Sequence, residues 1–284
     1  VNSLGDYSDN AELNKVVESS KKQYKGRELK GRTLGVLGLG AIGSMVADMA
    51  LQMGMNVVGY DPALSVEGAW RLSSKVEKME HLQMLFSRSD IISLHVPAVE
   101  ATRGMINMEA LSHFKDGAVL LNFAREEIVD KNDISNALDT GKISQYISDF
   151  PTPMLIGKPG VVSTPHLGAS TEEAEENCAI MVADQIKDFL ENGNIKNSVN
   201  FPNLSLERTT GCYRISMVNK NVPRILGSVL SILADRNINV VDMLNKSREE
   251  IAYNLIDIEV KPSDALLEEV LGIEGVINVR VFEG

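Results

Sequence analysis

The sequence predicts an α/β chain in two parts, a doubly wound parallel sheet followed by a smaller β-α-β-β-α-β sandwich. Three observations carry that prediction. Leu34-Gly35-Val36-Leu37-Gly38-Leu39-Gly40-Ala41-Ile42-Gly43 joins an apolar run to Gly-x-Gly-x-x-Gly, and Asp61 ends the next apolar run. Short apolar runs then alternate with helical segments, several of the runs apolar throughout, as parallel strands covered on both faces are. Near Val199-Asn200-Phe201-Pro202-Asn203 that alternation stops and a shorter order begins.

In chain order, residues 1–30 read as an amphipathic helix and a connecting stretch. Strand-like runs follow at Leu34–Leu37, Asn56–Tyr60, Ile91–Val96, Ala118–Asn122, Gln145–Asp149 and Val161–Thr164. Helical patterns lie between them at Ser44–Met53, Lys78–Ser87, Met108–Phe114, Lys131–Thr140 and Thr171–Asn192. The second part reads strand Tyr213–Val218, helix Pro223–Arg236, strands Ile238–Leu244 and Ile251–Val260, helix Ser263–Leu271 and strand Val276–Phe282. That order is the ferredoxin-like sandwich. Pro223 suits a first helical turn, and Asn237 suits a left-handed cap. The expected domains are a 1–30 helix and hinge, a 31–168 dinucleotide-binding (Rossmann) domain, a 169–203 return helix and linker, and a 208–284 terminal domain.

Composition narrows the function. The chain has 284 residues, 44% of them hydrophobic and only 5% aromatic, with a formal charge of −11. No basic tract exists to engage nucleic acid or an anionic membrane, and no apolar run is long enough to span a bilayer. Cys178 and Cys212 are isolated, so neither a disulfide framework nor a metal site is expected, and a reducing, cytoplasmic setting fits. The 12 Met residues read as core packing rather than a cofactor box.

The glycine motif carries a specific chemistry. Gly38 permits a tight turn, Gly40 lets backbone amides approach a pyrophosphate, and Gly43 lets helix and strand pack closely. The helix N-terminus offers unpaired N–H groups and the positive end of its dipole to the phosphates, with Ala41 and Ile42 facing them. Asp61 is placed to accept from a ribose 2′-hydroxyl, which favours NAD over NADP.

Three more motifs sit at strand ends, where open α/β sheets bind ligands. They are His95-Val96-Pro97, Leu121-Asn122-Phe123-Ala124-Arg125, and Thr164-Pro165-His166-Leu167-Gly168-Ala169-Ser170-Thr171. Taken singly, Arg125 reads as a loop arginine, His166 as a helix cap and Asp149 as a turn residue. Together with the glycine unit, the set resembles the NAD-dependent D-2-hydroxyacid dehydrogenase family, from about Gly26 to Pro202. The segment Arg214-Ile215-Ser216-Met217-Val218-Asn219-Lys220-Asn221-Val222-Pro223 onward resembles an ACT domain.

The resemblance implies that Arg125 binds the carboxylate and forming carbonyl, that His166 is the acid/base, and that Asp149 holds the nicotinamide. It places the cofactor among Gly38, Gly40, Ala41, Ile42, Gly43, Asp61, Val96, Pro97, Phe123, Ala124, Arg125, Asp149, His166 and Gly168, with His95 on the adenosine side. The residue types suit these roles, since a guanidinium pairs bidentately with a carboxylate and an imidazole titrates near neutral pH. The ACT-like module implies 3-phosphoglycerate as substrate and L-serine as effector, held by Asn219, Asn221 and Asn239. A homodimer or homotetramer is expected.

The chain departs from the family pattern in three ways. Glu126 follows the arginine where the family has Gly. Pro153 or Met154 stands where a Glu orients the histidine. The N-terminal α/β portion of the substrate domain is expected to be missing from this sequence. Asn219 further replaces a His of the serine-regulated pattern. These departures keep two rival readings open: an NAD-sensing, corepressor-like protein without turnover, and an amino-acid-sensing module attached to a decayed enzyme.

Overall fold

The computed structural model describes residues 9–21 and 26–283. It divides into two units, Val1–Gly168 and Ala169–Gly284. Of the helix expected over 1–30, α1 spans Asn10–Ser20 behind the Asp9 cap. Residues 1–8 and 22–25 lie outside the described residues, and 26–29 are not helical.

In the first unit, β1 (Thr33–Leu37), β2 (Asn56–Tyr60), β3 (Glu77–Lys78), β4 (Ile91–Leu94), β5 (Ala118–Asn122), β6 (Ile143–Ser148) and β7 (Val161–Ser163) form one sheet. The order is β3-β2-β1-β4-β5-β6-β7, and every pairing is parallel. All C-terminal strand ends therefore lie along one edge. Successive side chains of a strand point to opposite faces, and the core divides accordingly. Leu34 and Val36 pack with Ala47 and Ala50 of α2 (Ala41–Gln52). Leu37, Leu94 and Leu120 pack with residues of α4 (Leu82–Arg88), α5 (Met108–Ser112) and α6 (Lys131–Asp139).

The sequence reading needs correction at four places here. α2 starts at Ala41, not Ser44, because Gly40 caps it and Gly43 already lies in its first turns. The stretch Lys78–Ser87, where the sequence predicts a helix, holds the end of β3, and α4 begins only at Leu82 after His81 in extended backbone. The helix α3 (Val66–Arg71), capped by Ser65, carries too little periodicity to be seen in sequence. The methionines split: Met55 and Met79 are core, whereas Met45 and Met49 on α2 and Met53 just after it are exposed.

The second unit starts with α7 (Glu172–Asn192), capped by the Thr171 side chain. Its sheet contains β8 (Tyr213–Lys220), β9 (Val240–Arg248), β10 (Ile251–Ile258) and β11 (Val276–Phe282), in the antiparallel order β11-β8-β10-β9. Ile215, Met217, Ile256 and Ile258 meet Val229 and Leu233 of α8 (Ile225–Asp235) and Leu266 and Val270 of α9 (Asp264–Leu271). This is the expected β-α-β-β-α-β order. α8 begins two residues after Pro223, because Arg224 takes a left-handed backbone (φ +79) that breaks the first turn. Asn237 adopts the expected left-handed conformation (φ +57). Among the described residues no helix is long and apolar enough to cross a membrane.

Candidate active site

The turn after β1 is dictated by lack of room. Gly38 has φ +88, and a Cβ built there would stand 2.5 Å from the His95 carbonyl oxygen. A Cβ on Gly43 would stand 2.0 Å from the Gly38 carbonyl oxygen, so α2 can approach β1 only with glycine there. Gly40 differs: a Cβ on it would meet nothing within 4 Å. Open space therefore lies before the first turn of α2, where Ala41 and exposed Ile42 carry N–H groups without intrahelical acceptors. Such a turn can take the pyrophosphate of a dinucleotide.

Asp61 follows β2 on the same edge. Its carboxylate accepts from the Leu39 N–H (2.8 Å) and the Ala63 N–H (2.9 Å), so it is fixed against the glycine turn before any ligand arrives. Each oxygen keeps a second acceptor position for a ribose hydroxyl. Beside it, Leu39, Tyr60, Asp61, Pro62, Val76 and Lys78 line a cavity of about 470 Å³, a size suited to a small ligand. Beyond β4, His95 and Val96 are half-buried and Pro97 is exposed. Burial holds the His95 imidazole below its ordinary pKa, and its Nε2 lies 2.8 Å from Ser93 Oγ.

Arg125, Asp149 and His166 follow β5, β6 and β7, three neighbouring strands. The sheet therefore carries all three beyond the same edge. Phe123 and Arg125 are exposed and Ala124 is half-buried. Arg125 Nη1 donates to its neighbour's carbonyl, Ala124 O (2.6 Å), which leaves most of the guanidinium open to an anion. Asp149 is buried; its Oδ2 lies 4.0 Å from His166 Nε2, and its Oδ1 has no hydrogen-bond partner. The Phe150 ring meets the His166 ring edge-on at 4.7 Å. An orphaned buried carboxylate oxygen fits a bound donor, such as a carboxamide N–H of nicotinamide. With the open Gly40 turn and the fixed Asp61, the residues present fit an NAD molecule.

The structure also gives the surroundings of two of the departures, Glu126 and the Pro153–Met154 stretch. Glu126 pairs with Lys131, and Glu127 lies 3.6 Å from Arg103, so neither acid is an unbalanced charge beside Arg125. Met154 is exposed and Pro153 cannot ionise; among the described residues Asp149 is the carboxylate within 4.0 Å of His166. Gly168 is exposed, with open space around it.

Sequence reasoning passed over Asn122, the fully buried last residue of β5. It also passed over Thr152, whose buried hydroxyl has no partner. An Asn inside an apolar run, just before a functional loop, was the available signal for the first.

In the second unit the three candidate effector residues separate. Asn219 is buried, its Oδ1 accepting from Asn254 Nδ2 (2.7 Å) and its Nδ2 donating to Lys220 O (2.7 Å). Asn221 and Asn239 are exposed. Each donates one amide N–H, to Glu249 O and to Glu259 Oε1 respectively, and keeps its carbonyl oxygen open.

Residues 2–168 match the family of D-isomer specific 2-hydroxyacid dehydrogenases, NAD binding domain. The chain is 33% identical over 284 residues to a D-3-phosphoglycerate dehydrogenase of Haemophilus influenzae, covering 96% of this chain and 68% of that one. It is 36% identical over 234 residues to a D-3-phosphoglycerate dehydrogenase of Methanocaldococcus jannaschii, covering 80% of this chain and 43% of that one. Among solved structures it resembles the NAD+-bound 3-phosphoglycerate dehydrogenase of Entamoeba histolytica. The TM-score there is 0.54 with 32% identity, over 62% of this chain and 57% of that one. The chain belongs to the D-isomer specific 2-hydroxyacid dehydrogenase family, and its first unit is the NAD-binding domain of that family, with NAD as cofactor.

Proposed function

We propose that the chain serves the NAD-dependent oxidation of D-3-phosphoglycerate to 3-phosphohydroxypyruvate, the first step of L-serine biosynthesis. The observation that carries this reading is the placement of Arg125, Asp149 and His166 beyond three adjacent parallel strands, on the edge that also holds the glycine turn. The substrate class draws on the relatives, which are named D-3-phosphoglycerate dehydrogenases.

Oxidation removes a hydride from carbon 2 and a proton from its hydroxyl. Bound nicotinamide supplies the carbon that accepts the hydride. Arg125 holds the carboxylate through two parallel N–H bonds and polarises the growing carbonyl, an interaction that strengthens as charge shifts to oxygen. His166 Nε2 takes the hydroxyl proton, and Asp149 stabilises the imidazolium that results. The 4.0 Å gap between Asp149 and His166 is the kind that tightens when substrate is in place. In the reverse direction the same imidazolium returns the proton.

The test is NADH oxidation with 3-phosphohydroxypyruvate beside unphosphorylated 2-oxo acids. Preference for the phosphorylated acid supports the assignment. NADH binding without turnover of any 2-oxo acid points instead to the sensor reading, which the absent Glu near Met154 favours. The second unit is assigned the binding of L-serine through Asn221 and Asn239, whose amides can both donate and accept. Differential scanning fluorimetry with the twenty amino acids checks this. A site filled to 100 times its dissociation constant adds about 2.7 kcal/mol of stability, and no shift with any of them removes the assignment.

A further inference from the structure

Arg125 and Asp149 stand on separate loops, and one buried chain of polar groups runs between those loops. Asn122, fully buried, uses its whole amide. Its Nδ2 donates to Arg125 O (2.9 Å) and to Tyr146 Oη (3.2 Å), and its Oδ1 accepts from the Ala124 N–H (3.2 Å). Tyr146 is buried on β6, and Ser148, two residues along the same face, adjoins its hydroxyl. The Ser148 Oγ in turn accepts from the Phe150 N–H (3.1 Å), the residue after Asp149 and the one whose ring abuts His166. The strand register sets Asn122 directly opposite Ser148, so the three side chains share one face of a β5–β6 pair that is otherwise apolar core.

We propose that Asn122 and Tyr146 are positioning residues for substrate binding: they form a buried strap that fixes the Arg125 loop relative to the Asp149 loop. This rests on the reading of Arg125 as the carboxylate-binding group. Asn122 is hydrogen-bonded at both ends of its amide inside an apolar core, so breaking either end leaves a buried group unpaired and the link is stiff. The network touches the backbone of Ala124 and Arg125 rather than the guanidinium, so it sets where the side chain starts and not which bonds it makes. Burial raises the Tyr146 pKa above its ordinary value, and the phenol oxygen accepts from the Asn122 amide. Nothing in the strap reaches Gly40 or Asp61, so the glycine-turn side of the cofactor site is untouched by it.

The experiment compares Tyr146→Phe, Asn122→Ala, Arg125→Ala and the Asn122→Ala/Arg125→Ala double variant in the full-length protein. Readouts are the steady-state KM and kcat, NADH affinity, melting temperature, and 3-phosphohydroxypyruvate binding to the NADH complex by fluorescence. Tyr146→Phe deletes one hydroxyl and keeps the ring, and should weaken 3-phosphohydroxypyruvate binding roughly 3- to 10-fold. Asn122→Ala should weaken it roughly 10- to 100-fold, as displacement of a binding group by about 1 Å does, with a much smaller fall in NADH affinity, because the glycine turn and Asp61 are untouched. In the Arg125→Ala background the Asn122 change should add less than about twofold, since its effect passes through Arg125.

An effect of Asn122→Ala that repeats in full in both backgrounds, or that lowers NADH affinity equally, shows a merely structural role and overturns the proposal. So does wild-type substrate binding in Asn122→Ala and Tyr146→Phe when Arg125→Ala has lost it, and in that case the reading of Arg125 survives. Undiminished binding and turnover in Arg125→Ala overturns that reading and the strap with it.

Discussion

The glycine turn and the arginine edge lie along the same side of one sheet, yet they are specified in different ways. At the turn, backbone meets backbone: a Cβ on Gly43 would lie 2.0 Å from the Gly38 carbonyl oxygen, and one on Gly38 would lie 2.5 Å from that of His95. At the edge, Arg125 and His166, the side chains proposed to act on substrate, are exposed, His166 by 53%, and they stand beside the buried Asn122 and Asp149. The comparison teaches that a site can tolerate change at its working atoms without loss of fold, but not at the atoms that bring two segments together. Variants should therefore separate binding, turnover and stability differently in the two places.

The largest effect is expected at the edge. Arg125→Ala and His166→Ala should each lower turnover roughly 10²- to 10⁴-fold, with melting temperature and NADH affinity little changed, because both side chains are exposed. Steady-state kinetics beside NADH titration checks this, and a matching loss of stability would erase the contrast. At the turn the pattern should invert. Gly43→Ala should destabilise the protein by about 1–3 kcal/mol in urea unfolding and abolish tight NADH binding, since the helix must move off the strand. Gly40→Ala sharpens the point: with open space around it, stability should hold while NADH affinity falls, because the added methyl occupies the ligand's side of the turn.

A smaller change is expected from Asp61→Ala. It removes two acceptors that hold the Leu39 and Ala63 N–H groups as well as the proposed ribose contact. NADH affinity should fall about tenfold and the preference over NADPH should narrow, measured by parallel titrations. The smallest effect concerns His95. Its folded-state pKa is depressed by burial, so the unfolded chain binds the proton more readily. Its contribution to stability is intact above the ordinary imidazole pKa and is lost as pH falls through that value toward the lowered one. His95→Gln should flatten the acid-side decline in denaturation midpoint, and an unchanged decline would separate His95 from it.

What could be read from the sequence follows the same division. The turn was legible because each glycine answers a local demand for space, and Asp61 lies at the end of the next strand. Strand alternation exposed the parallel sheet, and the β-α-β-β-α-β order exposed the second. β3 was hidden because two residues, Glu77 and Lys78, show no period, and α3 because six residues make under two turns. The left-handed Arg224 overrode the Pro223 signal. Asn122 stands inside the Leu121–Arg125 motif, but its value lies in a partner on another strand, Tyr146, that spacing does not reveal. For the same reason the buried Asn219–Asn254 pair could not be told from an exposed effector contact.

The most direct measurement follows the hydride itself. NADH carrying deuterium at both C4 positions is incubated with the protein and 3-phosphohydroxypyruvate, and the phosphoglycerate formed is examined by mass spectrometry. If the edge of Arg125, Asp149 and His166 is a dehydrogenase site, the product carries one deuterium at carbon 2 in wild type, and the yield collapses in His166→Ala. Product without deuterium, or equal labelled yield in wild type and His166→Ala, would contradict it.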